Sequence, residues 1–434
     1  MTPEIEKRIK AVQAGRVPAG YKKSKIGIVP KDWGEVRFHD MFSRVVRKNK
    51  EVNTNVLTIS AQYGLINQND FFNKTVASDD KSNYYLMKKG EFAYNKSYSN
   101  GYPFGALKRL DFYDKGIVSP LYICFAANEN NKYPDFYVHY FEAGLMNKEI
   151  QAIAQEGARN HGLLNISVDD FFNSNLLNPP LSEQKKIAEI LATQDRVIEL
   201  KEKLIAEKQS QKKYLMNELF TGKKRIKGKT KRYVKTPLGD LPSDWSSISF
   251  STIFDVKNEH TEDLKKYPLY SLTIENGVTP KTERYERSHL VLKENVYKVL
   301  YPNYFAYNPM NIRFGAIGLH KGNYPVSVSG YYDTFTCKDP SLLVFMENFL
   351  KSKIMLNYYD KVSTGSLIEK KRVHLSQFLE FNLPLPAHEE MRAIADVLSA
   401  ADEEISLLQK DLEQEKLKKK SLMQLLLTGL VRVA

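Results

Sequence analysis

The sequence repeats itself once, at a period of roughly 210 residues. Its two tryptophans end matching segments: "YKKSKIGIVPKDW" ends at Trp33 and "YVKTPLGDLPSDW" ends at Trp245. The segment "FAYN" occurs at 92–95 and again at 305–308, and a Phe-Gly-Ala follows each copy. Self-similarity at a fixed period is the signature of a repeated structural unit. It predicts two similar domains in a pseudo-twofold arrangement.

Each copy closes with a segment that contains neither proline nor glycine, from Ser182 to Phe220 and from Glu389 to Leu427. Apolar residues recur in both segments at steps of four and seven, which is typical of one stripe along a helix. At 1.5 Å per residue each helix would be about 58 Å long. So narrow a stripe needs a partner helix, and the prediction is an antiparallel coiled coil of the two. The residues assigned to this pairing are Ile187, Leu191, Ile198, Ile205, Leu215, Leu219, Ile394, Leu398, Ile405, Leu412, Leu422 and Leu426.

The segment Asn178-Pro179-Pro180-Leu181 raises the question of an enzyme. An Asn-Pro-Pro followed by an aromatic residue resembles the catalytic loop of amino-methyltransferases, where the aromatic ring stacks on a flipped-out base. Leu181 offers no such ring, and the second copy has a proline here but no asparagine. The segment therefore predicts a helix start, with Ser182 as the N-cap and Glu183 in the favourable field of the helix dipole.

Between tryptophan and helix each copy has short runs of alternating β-branched and aromatic residues, broken by Gly, Asn and Asp. This pattern predicts an α+β fold with two tandem β-rich domains, each followed by its long helix. The copies differ most in their loops, where Arg, Lys, Asn and Tyr are the side chains that could read base edges. The candidate DNA-binding residues are Lys96, Tyr98, Asn100, Tyr102, Arg159, Asn160, His161, Asn311, Arg313, Lys370, Lys371 and Arg372.

The charge balance favours a polyanionic partner, because 64 Lys and Arg face 51 Asp and Glu. An ordinary solvated basic surface is the alternative interpretation of this excess. Two cysteines cannot form a disulfide framework or a zinc site of their own, and no histidine cluster has metal-ligand spacing. No apolar run reaches the ~18 residues of a membrane span and the first residues are charged, so we expect a cytoplasmic protein without a membrane partner.

These features together resemble the specificity (S) subunit of type I restriction-modification systems. The resemblance is carried by the duplicated "FAYN" and "FGA", the proline before "EQKKIAEIL", and the "LM" and "TG" that close each helix. It implies a non-catalytic chain that holds no cofactor and no metal. It also implies two modification subunits that bind S-adenosylmethionine, restriction subunits that use ATP and Mg, and a double-stranded DNA partner. The DNA site would be bipartite and asymmetric, with one half read by each target-recognition domain.

On this interpretation the chain has six parts. They are an N-terminal segment at 1–42, a first target-recognition domain at 43–177, a central helix at 178–222, a basic linker with the start of the second repeat at 223–254, a second target-recognition domain at 255–382 and a C-terminal helix at 383–434. Two alternatives stay open. One is a fused DNA methyltransferase or nuclease, which would need a cofactor loop or a carboxylate cluster, and the other is an adaptor that binds only protein.

Overall fold

The computed structural model describes residues 2–60, 64–71, 81–98, 101–154, 164–227, 232–281, 297–365 and 371–433. The chain divides into two compact units. Unit 1 consists of Met1–Lys201 with Asp411–Ala434, and unit 2 consists of Glu202–Lys410. Each unit therefore combines a β-rich region with the first part of one long helix and the last part of the other.

Unit 1 contains the first set of helices and strands. In chain order they are α1 (Pro3–Gln13), β1 (Tyr21–Lys23), β2 (Ile28–Pro30), β3 (Gly34–Arg37), α2 (Phe38–Met41), β4 (Phe42–Arg44), β5 (Leu57–Ser60), β6 (Gly64–Asn67), α3 (Gln68–Phe71), β7 (Tyr85–Lys88), β8 (Phe92–Asn95), β9 (Ala106–Arg109), β10 (Lys115–Val118), β11 (Ile123–Ala127), α4 (Pro134–Glu142), α5 (Asn147–Ile153), α6 (Val168–Phe172), β12 (Asn175–Asn178) and the start of α7 (Leu181–Phe220). The central sheet has the antiparallel order β4-β11-β8-β9.

Unit 2 contains the second set. In chain order they are β13 (Tyr233–Thr236), β14 (Gly239–Pro242), β15 (Ser246–Ser249), α8 (Phe250–Ile253), β16 (Phe254–Val256), β17 (His260–Thr261), β18 (Tyr270–Thr273), β19 (Gly277–Pro280), β20 (Tyr297–Leu300), β21 (Phe305–Tyr307), β22 (Ile317–Leu319), β23 (Val326–Val328), β24 (Asp333–Cys337), α9 (Leu343–Leu350), α10 (Lys353–Val362), α11 (Leu375–Leu379), β25 (Asn382–Leu385) and the start of α12 (His388–Leu426). Its central sheet, β16-β24-β21-β22, has the same antiparallel order. The predicted mixture of helix and β-strand is confirmed.

The repeated "FAYN" forms a central strand in both sheets, β8 and β21. Because successive side chains of a strand point to opposite faces, Phe92 and Tyr94 enter the main core of unit 1 while Ala93 enters a smaller core on the other face. In unit 2 the strand residues Phe305 and Tyr307 likewise lie in one core and Ala306 in another. Full burial of each such aromatic stabilises the fold by about 1.5–3 kcal/mol. The repeated motif is therefore explained by packing against cores on both faces of the sheet.

The first long helix begins at Leu181, so Ser182 lies inside it and is not its N-cap. The amides of Glu183 and Gln184 both donate to the Pro180 carbonyl, at 2.9 and 3.0 Å. The Gln184 side chain donates to Asn178 Oδ1 at 2.8 Å and to the Pro179 carbonyl at 2.8 Å. A proline carbonyl accepts these amides as well as any other, so the helix starts directly after the second proline. The Asn178 carboxamide serves this helix start.

Ion pairs join the two long helices within each unit. In unit 1, Lys201 pairs with Asp411 and Lys419 pairs with Asp195. In unit 2, Lys208 pairs with Glu404 at 2.5 Å, and Lys212 with Asp402 at 2.6 Å. Residue numbers rise on one helix as they fall on the other, so the two segments run antiparallel within each unit.

Several of the predicted helix-pairing residues pack in the main core of a unit, so they do not all form one stripe between the helices. In unit 1, Ile187 and Leu191 enter the main core together with Leu426. In unit 2, Leu219 shares the main core with Ile394 and Leu398. The ends of the helices are thus anchored in the two cores. Ile205, Ile405 and Leu412 are buried, whereas Ile198, Leu215 and Leu422 are half-buried.

An arginine that follows each long helix bonds two carboxylates of the same unit, an arrangement we call the arginine clasp. In unit 1, Arg432 donates to Glu183 at 2.8 and 2.9 Å and to Asp32 at 2.9 and 2.6 Å. In unit 2, Arg225 donates to Glu390 at 2.7 Å with two nitrogens. It also donates to Asp244 at 3.1 and 3.0 Å. Arg225 belongs to the segment predicted as a basic linker, and its guanidinium neutralises the buried Glu390 carboxylate.

Candidate nucleic-acid interface

In unit 1, the described residues that flank the predicted loops meet at one end of the central sheet. Strand β8 leads into the loop 96–105, and β11 begins beside it because Ile123 pairs with Tyr94. The Leu164 amide donates to the Lys96 carbonyl at 3.0 Å. Leu164 directly follows the segment 155–163, so this bond ties the end of one predicted loop to the start of the other.

Unit 2 repeats this arrangement. Strand β24 begins beside the loop that follows β21, because Asp333 pairs with Tyr307. The Val373 amide donates to the Pro309 carbonyl at 3.0 Å. Thr364 and Arg372 exchange two backbone hydrogen bonds of 2.9 Å, which hold these two residues side by side. We call this end of the sheet, in each unit, the loop end.

A glycine makes the return from the loop possible. Gly105 and Gly315, from the two Phe-Gly-Ala repeats, have φ values of +80° and +94°. A Cβ at Gly105 would lie 2.2 Å from the Asn95 carbonyl oxygen and 2.8 Å from the Tyr94 ring. Only glycine combines this backbone conformation with so close an approach. The repeated glycine therefore fixes the path of the loop rather than a contact with a ligand.

At the loop end of unit 1, Tyr98 is exposed, and Lys96 and Tyr102 are half-buried. The Tyr102 hydroxyl donates to Glu142 at 2.6 Å, and Lys108 forms an ion pair with the same carboxylate. Burial opposes ionisation of Glu142, but Lys108, the Tyr102 hydroxyl and Lys419 together outweigh it, so the pKa of this carboxyl is lowered. Burial, reinforced by Glu142, raises the pKa of Tyr102. Tyr102 is thus a neutral side chain held in place by a salt bridge.

Sequence reasoning missed the lysines beside this loop. Tyr102 lines a cavity of about 360 Å³ together with Lys416, Lys419 and Lys420 of α12. Lys416 and Lys420 are exposed, whereas Lys419 bonds Asp195 at 2.6 Å. Lysines at such a position can neutralise DNA phosphates. The run "EKLKKKS" carried the signal, but it was interpreted only as part of a pairing helix.

In unit 2, Asn311 is exposed, and Lys371 and Arg372 are half-buried. The Asn311 carbonyl accepts the amides of Phe314 and Ala316, which shapes the turn. The Arg313 guanidinium lies 4.4 Å from the centre of the Phe314 ring. The remaining candidates, Asn100, Arg159, Asn160, His161 and Lys370, lie outside the described residues. The described candidates at the loop end thus differ between the two units in the side chains they offer.

Arg313 provides a direct test of the loop end. Its Nη1 lies 3.5 Å from Asp360 Oδ1, and only 10% of its side chain is exposed. Arg313→Ala is expected to weaken DNA binding by about 1–3 kcal/mol and to relax one position of the site if the arginine reads guanine. If it contacts only phosphate, binding should weaken evenly across sequences. The measurement is the affinity for specific and random duplexes at fixed salt.

Asp360→Asn is the matched control, because it removes the anion beside Arg313 and keeps the arginine. DNA binding should then be unchanged or stronger. A drop in the melting temperature of Arg313→Ala with no change in DNA binding would assign the arginine to packing on Phe314.

The described residues offer neither a reactive cysteine nor a group that could hold a metal ion. Burial raises the pKa of the Cys124 and Cys337 thiols to about 12, so neither is a ready nucleophile. Within the described ranges, no group of three or more His, Cys, Asp or Glu is placed to hold a metal ion. None of the helices in this part of the chain is long and apolar enough to cross a membrane.

The sequence matches a known family over residues 30–208. The matching family model is the type I restriction modification DNA specificity domain. Residues 30–208 are thus similar to the type I restriction-modification specificity domain. The resemblance predicted from the duplicated motifs is thereby confirmed.

Two curated relatives extend the match over most of the chain. The Type I restriction enzyme MjaVIII specificity subunit of Methanocaldococcus jannaschii is 29% identical over 339 residues, covering 74% of this chain and 75% of the relative. The Putative type I restriction enzyme MjaX specificity subunit of the same organism is 25% identical over 435 residues, covering 95% and 97%. Both relatives are specificity subunits, which confirms the interpretation of this chain as a non-catalytic subunit rather than an enzyme.

The fold has a solved counterpart. It is a chain from a structure described as "Structural basis underlying complex assembly and conformational transition of the type I R-M system". The TM-score is 0.54 at 16% sequence identity, and the alignment covers 93% of this chain and 99% of the other. The likeness concerns the fold alone.

Proposed function

We propose that this chain is the DNA sequence-specificity subunit of a type I restriction-modification complex. It reads a bipartite, asymmetric site, and each unit reads one half. The observation that carries this proposal is the loop end, which is built twice on the same strand order but bears different polar side chains in the two copies. A shared scaffold with different loops is what two unlike half-sites require.

The proposed DNA contacts come from the loops of both units. Lysine and arginine would neutralise phosphates or read guanine, asparagine would read adenine, and tyrosine would offer a flat apolar surface. The net charge of +13 supports a polyanionic partner. The described candidates for these contacts are Lys96, Tyr98, Tyr102, Asn311, Arg313, Lys371 and Arg372, and those outside the described residues are Asn100, Arg159, Asn160, His161 and Lys370.

The two long helices, in this proposal, form an antiparallel coiled coil within a pseudo-twofold chain. The ion pairs between α7 and α12 within each unit support it, as does the identical spacing of apolar residues on both helices. Exposed pairs of this kind contribute about 0–1 kcal/mol each, so they set direction and register more than stability.

Catalysis belongs to partner subunits in this proposal. Two modification subunits supply S-adenosylmethionine and methylate adenine, and restriction subunits use ATP and Mg to act on the DNA. This chain recognises the DNA sequence on which the partner subunits act, and it binds none of these cofactors. A complex of this kind acts on DNA in the cytoplasm.

The test is reconstitution. The purified chain alone is expected neither to methylate nor to cut DNA, and addition of modification subunits should give adenine methylation at one bipartite motif. The readout is sequencing of methylated bases, with a gel-shift assay for DNA binding with and without the modification subunits. Methyl transfer by the chain alone would favour a fused enzyme. Absence of site-specific DNA binding in every combination would favour a protein adaptor.

A further inference from the structure

Each unit has a tight turn immediately before the strand that borders the loop end. In unit 1 the turn begins at Ser119: its carbonyl accepts the Tyr122 amide at 3.1 Å, and its hydroxyl accepts the Leu121 amide at 3.3 Å. In unit 2 the Ser329 carbonyl accepts the Tyr332 amide at 3.0 Å, and the Ser329 hydroxyl accepts the Tyr331 amide at 3.3 Å. The same local device thus fixes the backbone at the same place in both copies.

These turns present one large apolar side chain to solvent and partly bury the next. Leu121 is 62% exposed and Tyr331 is 83% exposed. The following residues, Tyr122 and Tyr332, pack against a core of their own unit. Exposure of Leu121 and Tyr331 contributes nothing to folding, because burial of apolar surface is what stabilises the fold. A single exposed apolar side chain is ordinary on a protein surface. Here the same turn presents one at the same place in both copies, and this recurrence is the observation that points to a contact surface.

The position of the turns indicates which partner they contact. Both precede a strand whose first residues pair with the last residues of the "FAYN" strand, so both lie at the loop end. At this end the neighbouring loops carry the polar and basic side chains proposed to contact DNA, among them Lys96 and Arg313. Leu121 and Tyr331 therefore lie beside these loops, and we expect them to face the same partner.

We propose that Leu121 and Tyr331 contact the base edges of the DNA half-sites and help to determine the sequence that each unit reads. This inference rests on the proposed function. Base edges offer apolar as well as polar groups, and the thymine methyl group in the major groove is the apolar one that a leucine or tyrosine ring can cover. Each unit thus combines polar loops with one apolar side chain on a rigid turn, and the two copies differ in that side chain.

The experiment uses the full chain assembled with its modification subunits. Leu121→Ala and Tyr331→Ala are each expected to lower the affinity for the specific duplex by roughly ten-fold, the effect of one lost base contact. Leu121→Ala should relax a position in one half of the methylated motif, and Tyr331→Ala a position in the other half. Affinity for random duplexes, assembly with the modification subunits and melting temperature should not change.

The matched control is Phe112→Ala. Phe112 is 72% exposed in the loop between β9 and β10, at the opposite end of the same sheet. Its loss should leave both motif and affinity unchanged. The inference is wrong if the alanine variants keep the motif and affinity, or if they lose assembly with the modification subunits while DNA binding persists, which would make the turns a protein contact. The proposed function fails separately, if the unsubstituted complex methylates no defined motif.

Discussion

Replacement of residues 43–175 by the corresponding region of another specificity subunit will change one half of the methylated motif and leave the other half unchanged. The physical reason is that the loop end of unit 1 is built entirely from this region. Strands β8 and β11 and the bond between Leu164 and Lys96 all lie inside it. The readout is sequencing of methylated bases in cells that carry the exchanged chain with its modification subunits.

The reciprocal exchange of residues 255–382 is the control, and it should change the other half alone. Both exchanges keep α7 and α12, so assembly with the partner subunits should persist. A change in both halves after a single exchange would mean that the units do not read DNA independently. An unchanged motif in a folded and active chimera would exclude the exchanged region from recognition.

The repeat and the long helices could be predicted because they depend on local pattern. The stripe on α7 and α12 and the alternation in "FAYN" are properties of neighbours in sequence. The helix start was predicted only in part. Serine is a residue type preferred at an N-cap, so Ser182 was predicted there. In the structure the Pro180 carbonyl accepts the first amides of the helix, and the Gln184 side chain bonds back to Asn178.

The arginine clasp could not be derived from local pattern, because its bonds join residues far apart in sequence. Arg432 is 249 positions from Glu183, and Arg225 is 165 positions from Glu390. A signal was nevertheless present, since both arginines lie three residues after the glycine of the repeated Thr-Gly. In unit 2 the surrounding lysines masked this signal, because together with Arg225 they suggested a basic linker.

The candidate site was predicted at the level of loops rather than of side chains. Residue type singled out Arg313, yet the structure places its guanidinium beside Asp360 and over Phe314. Leu121 and Tyr331 were passed over because an apolar residue in a strand-rich region is expected to be buried. Exposure depends on the turn that precedes each strand, and only the structure reveals it.

Removal of the arginine of the clasp will destabilise unit 2 more than unit 1. Arg225→Met should lower the free energy of unfolding by about 3–5 kcal/mol, because it leaves Glu390 buried without its cation. Glu390 is 3% exposed, and the Arg225 side chain is only 9% exposed. The tryptophan of unit 2 does not help Glu390 either: within the described part of this unit, the indole nitrogen of Trp245 has no hydrogen-bond partner.

Arg432→Met should cost less, about 1–3 kcal/mol. The Arg432 side chain is 38% exposed, so water screens part of its attraction to the carboxylates. Glu183 also keeps two other donors, the Trp33 indole at 2.8 Å and the Val433 amide at 3.3 Å. Urea unfolding of the two variants measures the difference. A larger loss for Arg432→Met would mean that these two donors do not compensate.

Two further variants separate the buried charge from the loss of packing. Arg196→Ala removes an exposed pair with Glu199 and should change stability by no more than about 0.5 kcal/mol. The double variant Arg225→Met with Glu390→Leu removes both charges, and it should recover most of the stability lost in Arg225→Met, since a buried ion pair can be replaced by apolar residues at little cost. If the double variant is as unstable as the single one, the clasp stabilises unit 2 through packing of the arginine, and the uncompensated carboxylate is not the cause.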